Sequence, residues 1–129
     1  TRAAGRARMD ARVTQVLRAV GAALENKKAF GLLALDVSAR TSIADTFVIC
    51  SVGSSRQAQA VADEIDRALV AIGRKALSVE GYRQGTWVLI DYGDLLVHVF
   101  LEERREYYAL ERLWGDAPEV TAQLRAGGA

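Results

Sequence analysis

Residues 46–73 read TFVICSVGSSRQAQAVADEIDRALVAIG. The first seven, Thr46–Val52, are rich in β-branched and apolar side chains, a pattern that predicts a strand buried on both faces. Gly53 ends it. Ser54 and Gln57 then stand at the S-x-x-Q spacing of a capping box, so a helix is expected to open there. Ala58, Val61, Ala62, Ile65, Leu69 and Ile72 recur on one face of that helix, and Gly73 is placed as its C′ stop. A strand that runs directly into an amphipathic helix is a building unit of layered sheet-and-helix folds.

Working outward, the same patterns continue on both sides. Upstream, residues 1–9 are small and basic without periodicity and are read as a disordered leader. Asp10 is a good N-cap, and Val13, Val16, Leu17, Val20 and Leu24 form one helical stripe ending near Lys27 and Lys28. Residues 32–37 are a compact apolar run, read as a strand, and residues 38–43 are turn-like. Downstream, residues 75–80 predict a short strand, and residues 81–85 a glycine-bounded loop. Residues 87–92 and Leu95–Leu101 are two strands joined by Gly93-Asp94, close enough to pair as an antiparallel hairpin. A last helix over 102–114 carries Tyr107, Leu110, Leu113 and Trp114 on its stripe, with Gly115 as cap. Residues 116–129 are read as a flexible tail. Three helices with five strands imply an α/β (α+β) domain with a mixed five-stranded sheet flanked by helices, spanning residues 10–115.

Composition narrows the function. The chain has 129 residues, 17 Lys plus Arg against 16 Asp plus Glu, one His and one Cys. A net charge of +1 is too small for an obvious nucleic-acid binder. That total conceals an asymmetry. Residues 1–30 hold seven bases and two acids, and the remainder ten bases and fourteen acids, so a +5 segment masks a −4 body. An acidic body suits contact with a basic partner protein. One Cys excludes an intramolecular disulfide, and one His with one Cys excludes a His/Cys zinc site within a single chain. No apolar run is long enough for a membrane span.

Catalytic motifs are absent. There is no G-x-x-x-x-G-K-[ST] loop, no G-x-G-x-x-G turn and no G-x-S-x-G elbow. Strand, Gly53-Ser54, helix matches the phosphate-facing turn of nucleotidyltransferases, but the next strand offers only Glu80 where metal chemistry needs two carboxylates one residue apart. Cys50, inside an apolar strand, is read as a core residue. His98 is read as a hydrogen-bonded histidine on a sheet face or at a protein interface. Trp87 opens a strand just after a glycine loop. Alternation groups it with Leu89 and Asp91 and puts Val88, Ile90 and Tyr92 opposite. A sheet face left without a helix would be a docking surface, with Trp as its anchor.

Asp36, Ser42-Ile43-Ala44-Asp45, Phe47-Val48-Ile49 and Gly53-Ser54-Ser55-Arg56 together resemble the front half of the ribosomal silencing factors, the Iojap-like RsfS family. Glu80-Gly81, Trp87, Asp91-Tyr92-Gly93-Asp94 and Val97-His98-Val99-Phe100 resemble its middle, and Arg105, Tyr108, Leu110-Glu111 and Leu113-Trp114 its last helix. The resemblance spans about residues 10–115. Thr46 departs from it, standing where the family more often has a larger side chain. The resemblance implies a nucleotidyltransferase-like fold without its carboxylates and a cytoplasmic, non-enzymatic homodimer needing no cofactor, metal, membrane or small-molecule ligand. It also implies binding to a protein of the large ribosomal subunit at the face where the small subunit docks. Subunit joining would thereby be blocked and translation repressed when nutrients are scarce. The expected partner surface has Trp87, Val88 and Tyr92 at its centre, Asp91 and Asp94 at its rim, and His98 nearby. Arg56, Glu80 and Arg105 recur in the family pattern without an assigned role. A nucleotide-handling enzyme and a general dimerisation module remain as alternative readings.

Overall fold

The computed structural model describes residues 2–108, 112, 114 and 116–125. In chain order the elements are α1 (Arg2–Asn26), β1 (Phe30–Asp36), β2 (Thr46–Val52), α2 (Ser55–Val70), β3 (Ser78–Glu80), β4 (Trp87–Asp91), β5 (Leu95–Leu101), α3 (Glu102–Tyr108) and a 3₁₀ turn at Thr121–Leu124. The strands form one sheet in the order β1-β2-β5-β4-β3. Only the β2–β5 pair is parallel; the other three pairs are antiparallel. This is the mixed five-stranded sheet flanked by helices that the patterning predicts.

Local chemistry places the second helix as its sequence requires. The Gln57 amide N–H donates to Ser54 Oγ at 3.1 Å, closing the cap. The reach-back bond goes one residue further than the standard box: Gln57 Oε1 accepts from the Gly53 N–H at 2.8 Å. Gln57 Nε2 donates to the carbonyls of Lys27 and Lys28, both at 3.0 Å, so one side chain ties the end of α1 to the start of α2. At the other end Gly73 has φ +81°, and Arg74 N donates to Leu69 O at 2.8 Å while Gly73 N donates to Val70 O at 2.9 Å. That is the Schellman stop.

α1 and α2 cover one face of the sheet. Val16, Leu17, Val20 and Leu24 of α1 and Val61, Ile65 and Leu69 of α2 meet Val48, Cys50, Val52, Val88, Ile90, Val97 and Val99, all buried. Sheet alternation sends Leu35, Phe47, Ile49, Leu96 and Phe100 to the other face, where Ala117 and Trp114 pack on them.

Two boundaries differ from the sequence reading. α1 begins at Arg2, so Asp10 lies inside the helix instead of capping it, and the expected disordered leader has helical backbone from residue 2. Ala and Arg, which dominate that segment, are strong helix formers and extend the helix without an apolar stripe. Residues 116–125 are docked, not a flexible tail. Asp36 N donates to Pro118 O and Val120 N donates to Ala34 O, both at 2.8 Å, and Leu35 bridges Glu119 along the outer edge of β1. Leu124 is buried against α1, where Gly21 comes so close that any Cβ would sit 1.6 Å from the Leu124 carbonyl oxygen. The cap expected at Gly115 lies outside the described residues.

Candidate functional site: the aromatic face of the sheet

Strand register arranges the second face in rows. One row runs Leu35, Phe47, Leu96, Asp91, Ser78; the next Leu33, Ile49, His98, Leu89, Glu80; the third Ser51, Phe100, Trp87. Burial grades along each row. Phe47, Ile49, Leu96, His98 and Phe100 are buried, Trp87, Leu89 and Asp91 are half-buried, and Ser78 and Glu80 are exposed. The face is therefore closed over β2 and β5 and opens towards β3. Its open strip runs along β4 as Trp87, Leu89 and Asp91, with Glu80 of β3 beside Leu89.

The rings of this face hold one another. Trp87 and Phe100 lie with centroids 5.1 Å apart, and Phe47 meets Trp114 edge-on at 5.4 Å. Trp87 Nε1 donates to His98 Nδ1 at 3.2 Å. Burial pushes the His98 imidazole down to about 4, so it is neutral at physiological pH.

The candidate surface expected from the sequence is brought together only in part. Trp87, Asp91 and His98 share this face. Val88 and Tyr92 do not: they point to the opposite face, 0% and 5% exposed beneath the helices, and cannot be the centre of a docking surface. Asp94 is ion-paired within the chain, its Oδ1 accepting from Arg74 Nη2 at 2.5 Å; Asp91 has one oxygen engaged as well, its Oδ1 accepting from the Gly93 N–H at 2.7 Å. Leu89 and Glu80, not named for that surface from the sequence, lie on the same face beside Trp87 and Asp91. The alternation that groups Trp87 with Leu89 already carried the first of these. Arg105 also finds its role here as an internal latch, donating to the Gly31 carbonyl and to Ser51 Oγ.

Two N–H groups of the turn between β2 and α2 are already paired within the chain. Gly53 N–H and Gln57 N–H are taken by the Ser54–Gln57 cap, and the Gly85 backbone sits against Ser55, where a Cβ would fall 2.7 Å from the Ser55 Cβ. Cys50 is raised to about 12 by burial, which makes its thiol a poor nucleophile. Among the described residues no group of three His, Cys, Asp or Glu side chains is placed to hold a metal ion, and no helix is long and apolar enough to cross a membrane.

A profile of the family described as "Ribosomal silencing factor during starvation" matches residues 10–127. The chain belongs to the RsfS family. The match extends past residue 115, so the docked segment lies inside the family pattern instead of beyond it. The chain is similar to the ribosomal silencing factor RsfS of Halalkalibacterium halodurans, 47% identical over 98 residues, covering 76% of this chain and 84% of that one. The RsfS of Bacillus subtilis is 44% identical over 103 residues, covering 80% and 87%. A solved structure from Chromobacterium violaceum superposes with a TM-score of 0.76 at 36% identity, covering 78% of this chain and 84% of that one. Membership in RsfS makes this chain a ribosomal silencing factor by family.

Proposed function

We propose that this RsfS protein acts by occupancy. It binds a basic protein of the large ribosomal subunit at the intersubunit face and so keeps the small subunit from docking, which represses translation under nutrient limitation. The observation that carries this reading is the open strip of Trp87, Leu89 and Asp91 on β4, with Glu80 beside Leu89. An apolar pair with two carboxylates next to Leu89 complements a surface of Lys and Arg around an apolar patch. Steric blocking requires no bond chemistry, so no catalytic residue, cofactor or metal enters this reading, and the protein works in the cytoplasm. A homodimer fits the same picture. Val79 on the edge strand β3, and Val70, Ile72, Leu77 and Tyr82 near it in sequence, are exposed apolar side chains, a second surface available for self-association.

The test is co-sedimentation of Trp87→Ala with isolated large subunits. Truncating an anchoring Trp is expected to cost about 2 kcal/mol or more, roughly thirtyfold in affinity. The wild-type chain should migrate with the large subunit and not with the small one. Normal binding by a folded Trp87→Ala protein would overturn the assignment of this face.

A further inference from the structure

His98 stands at the middle of β5 and is 4% exposed. Its row neighbours are Ile49 and Leu89. Phe47 meets the imidazole edge-on at 5.2 Å, and the Phe100 ring lies 4° from parallel to it. Every one of these neighbours is apolar, and an aliphatic side chain would suit the position. Among the described residues the imidazole makes one hydrogen bond, accepting at Nδ1 from Trp87 Nε1. With Nδ1 as acceptor, the proton of the neutral ring belongs on Nε2. Nε2 is buried and has no hydrogen-bond partner among the described residues. A polar group left unmatched in this way is destabilising. The histidine is thus poor core filling, and its polar contact among the described residues goes to Trp87, a half-open ring of the face.

We propose that His98 is a positioning residue for the docking surface: its Nδ1 fixes the orientation in which the Trp87 indole meets the partner. This rests on the reading of the Trp87 strip given above. An indole held by its N–H is already in its bound rotamer, so association does not have to freeze it. The diagonal placement of the two residues makes the bond possible, since Trp87 is opposite Phe100 and Leu89 is opposite His98 in the β4–β5 register.

Three variants test this: His98→Leu, His98→Asn and Trp87→Phe, with the indole N–H resonance of Trp87 followed by NMR and affinity for large subunits by sedimentation. In His98→Leu the fold and melting temperature are retained, the indole N–H resonance moves and exchanges faster with solvent, and binding weakens about fivefold. In His98→Asn an amide oxygen near the Nδ1 position restores the resonance and most of the affinity. In a Trp87→Phe background, which has no N–H to hold, His98→Leu changes nothing further, an outcome that a merely structural histidine would not produce. An unmoved indole resonance in His98→Leu overturns the proposal. So does full binding by His98→Leu in an assay where Trp87→Ala fails. If Trp87→Ala itself binds normally, the docking reading is what has failed, and the indole resonance alone decides whether His98 positions the ring.

Discussion

The two faces of this sheet are built from different side chains and do different work. The face under α1 and α2 is aliphatic, closed and almost without polar atoms: Val48, Val52, Val97 and Val99 meet Leu17, Val20 and Ile65 at essentially zero exposure. The other face is aromatic, holds a histidine, is buried at Leu35 of β1 and over β2 and β5, and opens towards β3. One side stores the stability and the other spends some of it on a defined surface. The difference teaches where to look for function in a chain with no catalytic constellation: on the sheet face whose burial fades towards an edge.

The strongest way to break that contrast is to truncate equivalent side chains on the two sides. Leu69→Ala, on the buried face of α2 at 0% exposure, should lose about 2–5 kcal/mol in urea unfolding. Leu89→Ala on the half-open strip should lose about 1 kcal/mol. Equal losses would mean the strip is as much core as the helix-covered face.

Acid should separate the faces next. The folded chain holds His98 near 4 where an ordinary histidine titrates at 6.5, through burial alone. Between those values the unfolded chain binds a proton that the folded chain refuses. Stability contributed by the neutral ring is therefore complete above pH 6.5 and is lost as pH falls towards 4, by about 3 kcal/mol in all. The covered face has no counterpart, because Cys50 and Tyr92 are both raised to about 12 by burial and titrate only in alkali. Urea midpoints at pH 7 and pH 5 should differ in the wild type, and His98→Leu should shrink the difference.

A smaller effect probes the docked segment. Gly21→Ala sets a methyl against the Leu124 carbonyl, so the segment must shift or release, at about 1–3 kcal/mol. Limited proteolysis near residue 120 should accelerate while α1 and α2 stay protected. Smallest is the α2 cap: Ser54→Ala removes the acceptor for Gln57 N–H and should cost about 1 kcal/mol with no effect on subunit binding.

Much of this was legible in the residues. β2 falls on the predicted Thr46–Val52, the Ser54–Gln57 cap and the Gly73 stop are in place, and β4 and β5 pair through Gly93-Asp94 as expected. These signals are local, each carried by a few neighbouring side chains. What the sequence did not settle depends on distant partners. Alternation divides Trp87, Leu89 and Asp91 from Val88, Ile90 and Tyr92, but both sets contain large apolar residues, and only the packing of α1 and α2 shows which set is covered. The Trp87–His98 bond needs the β4–β5 register, and the docking of residues 116–125 needs the β1 edge to be free to receive them. No periodicity in a short polar segment announces such an edge.

The contact between Gly21 and Leu124 also has a practical side. It anchors residues 121–125 beside α1, and residues 117–120 lie along β1, at one margin of the sheet. Trp87 is on β4, three strands across, about 14 Å away by ordinary strand spacing. A fluorophore, affinity tag or surface tether attached to the exposed side chain at position 125 thus sits at the β1 margin, away from the tryptophan. Instruments that need the protein immobilised can grip it there and leave the aromatic strip facing the solution.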